Sequence, residues 1–105
     1  MIVKKTNSRE LVRAVGEGYV EVAERHFGKY TDRKTYGMRL EGGVLSIWIE
    51  DGRRRTLRAV PLADEALGTV REMLMRVETF RQFGRLFYEL RDRLCVDGEG
   101  RGHIC

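Results

Sequence analysis

Apolar and polar positions alternate with a period of two through the middle of this chain and recur near every 3.6 residues on either side of it. The two-residue alternation runs over 35–41, 44–50 and 53–60. Gly42-Gly43 and Asp51-Gly52 separate these runs, both of them two-residue signals for tight hairpins, and Pro61 closes the last one. The pattern predicts a three-stranded antiparallel β-meander. Before it, residues 1–5 suit a short strand, and Asn7 or Ser8 can cap a helix with Glu10 in its first turn. Leu11, Val15, Val22 and His26 follow at helical spacing, widened by Val12, Tyr19 and Ala23. Arg13 with Glu17 and Glu21 with Arg25 form i,i+4 ion pairs on the other side. Gly16 and Gly18 weaken that helix by roughly 1 kcal/mol each. A break there, with 19–22 extended, is the alternative. Gly28 is the expected stop.

Beyond Pro61 the helical period returns. Asp64 caps a stripe of Leu67, Val70, Leu74 and Val77, and a second stripe holds Phe80, Phe83, Phe87, Leu90 and Leu94. The phase slips at Glu78-Thr79, which means either two helices capped near Thr79 or one long kinked helix. Gly84 would allow close helix approach. The expected fold is therefore α+β: an N-terminal helix, a three-stranded antiparallel meander and two C-terminal helices. One domain spans 1–94, and 95–105 form a flexible glycine-rich tail.

Composition narrows the class. A chain of 105 residues, 42% hydrophobic and 34% charged with one proline, is neither collagen-like nor low-complexity nor mainly disordered. No apolar run approaches the ~18–20 residues of a membrane span. The start lacks a hydrophobic signal core, so a cytoplasmic protein is expected. Twenty basic residues against 16 acidic ones give +4, which permits a nucleic-acid partner without demanding it. Most of the basic residues are arginines, and four of them fall within 53–58. Arginine forks onto phosphates and stacks on aromatic faces. A GC-rich coding sequence would produce the same bias.

Strand alternation assigns faces. Tyr36, Met38, Leu40, Leu45, Ile47, Ile49, Leu57 and Ala59 make an apolar face for helices to cover. Thr35, Arg39, Val44, Ser46, Trp48, Arg54, Thr56 and Arg58 make the other. A lone tryptophan flanked by arginines reads as a base-stacking platform, and Arg53-Arg54-Arg55 put positive charge at a hairpin end. The candidate contact set is Arg39, Trp48, Arg53, Arg54, Arg55 and Arg58. The competing readings bury Trp48 as core between helices or cover it in a protein interface.

The helix–meander–helix order resembles double-stranded-RNA-binding domains, and a meander followed by a helix is similar to single-strand-binding modules of the transcription-coactivator and purine-rich-element-binding type. The resemblance implies nucleic-acid binding by topology and carries over no residue. Asp64-Glu65 stand where the RNA-binding domains place glycine and lysine at their second helix.

Other chemistry is sparse. Cys95, His103 and Cys105 form C-x7-H-x-C, which suits three of the four ligands of a zinc site, with His26 or a second subunit as the fourth. A disulfide stapling the terminal loop and a loose tail are the alternatives, and no metal or cofactor is expected. Gly16-Glu17-Gly18 is not a dinucleotide fingerprint, and the chain lacks a phosphate-binding loop and a nucleophile elbow. His26 reads as structural, beside the apolar face of the first helix. Phe80, Phe83 and Phe87 with Met73, Leu74 and Met75 supply either a second packing layer or a face for a homodimer. The expected function is a small non-catalytic nucleic-acid-binding module, DNA or RNA. The alternative is a phage or mobile-element module that docks on a host protein through the arginine–tryptophan face or the Phe/Met helices.

Overall fold

Residues 9–26 form a β-hairpin, and the N-terminal helix expected there is absent. A computed structural model describes residues 1–28 and 34–105. Strands β1 (Ile2–Lys5), β2 (Arg9–Gly16), β3 (Tyr19–His26), β4 (Lys34–Glu41), β5 (Val44–Glu50) and β6 (Arg54–Pro61) pair in chain order as one six-stranded antiparallel sheet. The three-stranded meander is thus only half of the sheet. Leu11, Val15 and Val22 satisfied a helical count by chance. Their real period is two, with Leu11, Arg13 and Val15 opposite Glu24, Val22 and Val20. Gly18 turns the chain at φ +65°, the left-handed conformation that glycine adopts without penalty.

Two helices, α1 (Asp64–Met75) and α2 (Phe80–Arg93), cover one face of this sheet. They are separate: Thr79 accepts from the Gln82 backbone N–H at 3.1 Å while the Gln82 side chain accepts from the Thr79 N–H at 3.1 Å, a capping box. Val20, Val22, Met38, Leu40, Leu45 and Ile47 meet Val70, Leu74, Phe83 and Leu90 in the core.

The face assignment of β6 is corrected by a bulge. Ile47 pairs with Arg58 and Trp48 with Thr56, so Leu57 is the extra residue and is 37% exposed. Past the bulge the alternation inverts. Arg58 and Val60 face the helices, and Ala59 joins the open side.

The segment read as a flexible tail is a second small sheet. Strands β7 (Leu94–Val96) and β8 (Gly102–Ile104) pair as a hairpin. A Cys95–Cys105 disulfide with Cα atoms 5.9 Å apart, an ordinary spacing, closes it. The Asp97 carboxylate accepts from the Glu99 and Arg101 N–H groups at 2.9 and 3.0 Å and meets His103 Nε2 at 2.6 Å. His103 Nδ1 reaches Glu65 at the start of α1, 2.9 Å away. The His103 hydrogen bond holds Asp97 below the usual carboxylate range, and Asp97 with Glu65 raises the imidazole. Ala63 N–H donates to the Gly102 carbonyl at 3.0 Å. A Cβ on Gly102 would come within 2.8 Å of Val60, so only glycine allows this approach.

Candidate nucleic-acid interface and an aromatic pocket

Register builds the helix-free face in rows. The central row is Val12, Ala23, Gly37, Trp48 and Thr56, and the row beside it is Lys5, Glu10, Arg25, Thr35, Glu50 and Arg54. The Trp48 ring lies across Gly37, in space a Cβ at 37 would occupy. Arg54 places its guanidinium 4.6 Å from the ring centre and Arg39 lies at 5.7 Å. Trp48 is consequently only 3% exposed, and its Nε1 is buried without a hydrogen-bond partner among the described residues. It is neither helix-covered core nor an open platform. Its own arginines roof it.

The other predicted contact residues separate into two groups. Arg53, Arg54 and Arg55 are exposed at the β5–β6 end, where Gly52 turns at φ +94°. Arg54 pairs with Glu50 at 3.4 Å and Arg55 with Asp51 at 3.9 Å. Such exposed pairs hold by about 0–1 kcal/mol, so a phosphate can exchange for either carboxylate. Arg58 does not belong with them. It points under the sheet and donates to the carbonyls of Leu90, Arg91 and Leu94 at 3.3, 3.1 and 3.0 Å, capping the C-terminal end of α2. Arg13 does the same for α1 through the carbonyls of Met75 and Val77. Both helix caps come from strand residues whose role sequence spacing did not reveal.

Antiparallel pairing also sorts charge along the molecule. Lys5, Arg9, Arg25, Lys34 and Arg53 to Arg55 collect at one end of the sheet, with Glu10, Glu24, Glu50 and Asp51 among them. The opposite end carries Glu17 in the β2–β3 turn and Glu41 at the end of β4, the latter paired with Arg39 at 3.4 Å.

On the helix side of the basic end lies a pocket of about 250 Å³, lined by Arg9, Glu24, His26, Tyr36, Phe80, Phe83, Gly84, Phe87 and Tyr88. Glu24 is 5% exposed. Its Oε1 accepts from Arg9 Nε at 2.8 Å and from Arg9 Nη2, and lies 3.2 Å from His26 Nε2. The Arg9 guanidinium is 4.3 Å from the Phe80 ring centre. Tyr36 packs edge-on against His26 and Phe87, at 5.4 and 5.8 Å between centroids. From sequence His26 read as structural, Tyr36 as sheet core and Phe80, Phe83 and Phe87 as a packing or dimer stripe, so their meeting with Arg9 and Glu24 in one pocket was not foreseen. The usable signal was an acidic residue, Glu24, on the inward face of a strand.

Most of the aromatic and methionine surface proposed for docking is used within the chain. Leu74, Phe83 and Phe87 are buried, Phe80 and Met73 pack half-buried against the core, and Met75 is the residue of that set left exposed. A shallow groove of about 220 Å³ remains between the helices, beside Met73, Val77 and Leu86. The C-x7-H-x-C residues lie together in the terminal hairpin, with both sulfurs in the disulfide and the imidazole between Asp97 and Glu65. No described helix is long and apolar enough to cross a membrane. No protein-family model, curated protein or solved structure matches this chain.

Proposed function

We propose that this chain is a small non-catalytic nucleic-acid-binding module that holds a phosphate backbone at the basic end of its sheet. One observation carries the reading: antiparallel pairing collects Lys5, Arg25, Lys34, Arg53, Arg54 and Arg55 at one end, with the arginine pairs there exposed and weak. The contact set is therefore moved from the sheet centre to its end. Arg58 leaves it, Trp48 becomes the floor beneath Arg54, and Arg39 lies over the same ring. The cation–π contact of Arg54 with Trp48 is worth about 0.5–1 kcal/mol at an exposed site, less than a charge-assisted phosphate contact. Arg54 would leave the ring on binding. A cytoplasmic setting is part of the proposal, and thiol trapping in the producing cells tests it against the Cys95–Cys105 bond.

Fluorescence anisotropy of labelled single- and double-stranded DNA and RNA over a salt series tests the function. The expected log–log slope corresponds to about three to five phosphates. Arg53→Ala/Arg54→Ala/Arg55→Ala lowers that slope by about two to three. Emission of Trp48 changes in parallel as Arg54 leaves it. Absence of binding to every probe at ~50 mM salt, where phosphate contacts are strongest, refutes the proposal.

A further inference from the structure

We infer that the aromatic pocket between β2–β4 and α2 takes one unpaired nucleobase of the bound strand. This rests on the nucleic-acid reading, because the pocket opens at the same end of the sheet as the basic cluster. Helix α2 aligns Phe80, Gly84 and Tyr88 at i, i+4 and i+8, hence on one stripe, with the outer two about 12 Å apart along the axis. The middle position carries no side chain, which leaves a gap between two aromatic rings. Nothing in the packing requires glycine at 84: a Cβ there would meet no atom within 4 Å, and the backbone is not in the left-handed region. A glycine inside a helix costs about 1 kcal/mol relative to alanine. The helix thus gives up stability at a position that lines the pocket between Phe80 and Tyr88.

The remaining lining suits a planar, hydrogen-bonding ring. The Arg9 guanidinium, already stacked on Phe80, offers a second flat surface of the kind on which unpaired bases pack. Tyr36 and Phe87 supply apolar walls. Glu24, 95% removed from solvent, is a carboxylate acceptor for a ring or exocyclic N–H, and Arg9 and His26 beside it are donors for a base nitrogen or carbonyl. A purely apolar pocket of this size would favour a greasy ligand. The buried carboxylate, with a half-exposed guanidinium and imidazole beside it, favours an edge that both donates and accepts, as every nucleobase does.

The test compares a labelled single-stranded DNA with an abasic strand of equal length, which keeps the phosphates and lacks the bases. The wild-type protein should bind the base-bearing strand roughly tenfold tighter at equal salt slope. In Gly84→Met, which fills the gap, the two strands should bind alike with the slope unchanged. Tyr88→Ala, at a 55% exposed position where folding is not at risk, should also shrink the difference. Circular dichroism of both variants checks the fold. Equal binding of both strands to the wild type overturns the pocket assignment and leaves the phosphate reading standing. A preference that survives in both folded variants also overturns it and puts the base elsewhere. Failure of both strands to bind overturns the pocket assignment, and the phosphate reading falls with it when the double-stranded and RNA probes fail as well.

Discussion

At the scale of single residues, the pair Gly37 and Trp48 decides how the open face works. The indole occupies the volume of a missing side chain, so Gly37→Ala sets a methyl group against the ring. We expect a loss of about 1–3 kcal/mol in urea unfolding and a red-shifted tryptophan emission as the ring is pushed outward. Arg58 makes the complementary case. Its three carbonyl contacts at the end of α2 are charge-assisted, and Arg58→Met should cost about 1.5–3 kcal/mol of stability while leaving the salt slope of nucleic-acid binding unchanged. That combination separates it from Arg53, Arg54 and Arg55, whose removal should do the reverse. From sequence, Arg54 and Arg58 looked equivalent, being four apart on one strand. The bulge at Leu57 destroys the equivalence, and a bulge leaves no mark in an alternation pattern that reads acceptably on either side of it. Trp48 was placed on the right strand and the helix-free face. Its burial was not legible, because it depends on Gly37 one strand away.

At the scale of elements, β4 to β6 and both helices were readable because each carries a nearly uninterrupted period and ends at glycine, proline or a capping threonine. The β2–β3 hairpin was not. Arg13 and Glu24 point inward among Leu11, Val20 and Val22, and these two charges blur an alternation that would otherwise have been plain. Their reasons lie on other elements: a helix end for Arg13, and Arg9 of the neighbouring strand for Glu24, with His26 beside it. The terminal hairpin was only partly legible: a disulfide was one of the alternatives for its two cysteines, but glycine-rich composition does not disclose two paired strands or an Asp97–His103–Glu65 chain. That chain makes docking of the hairpin on α1 depend on pH. The folded-state pKa of His103 is raised, so its contribution is complete below the ordinary imidazole value of 6.5 and is lost as pH rises through the raised one. Asp97 is lowered, so its contribution is complete above 3.8 and is lost as pH falls through the depressed value. The stability difference between wild type and His103→Gln should therefore be largest between pH 3.8 and 6.5 and fade on both sides. Urea melts across that range measure it. A difference that grows toward alkaline pH would contradict the assignment.

At the scale of the whole molecule, the sheet separates its tasks by direction. One face carries the helices, the other an arginine-roofed tryptophan, and the basic charge collects at an end. The two faces were partly visible in the alternation, but the gathering of Lys5, Arg25 and Lys34 with Arg53 to Arg55 was not, because it arises only when six strands reverse direction in turn. The same strand order bears on how the protein is made. Every strand pairs with its neighbour in sequence, so the sheet can assemble hairpin by hairpin as the polypeptide leaves the ribosome, without waiting for any distant segment. Its apolar face has no such independence. Val20, Val22, Met38, Leu40, Leu45 and Ile47 are all translated before the first residue of α1. Until the helices emerge, a nearly complete sheet presents a bare greasy surface to the cell. A chain stopped after Pro61 should bind a hydrophobic dye and sediment as aggregate, whereas one carrying both helices should not. Birth, for this fold, is the interval in which its core surface lies most open to aggregation.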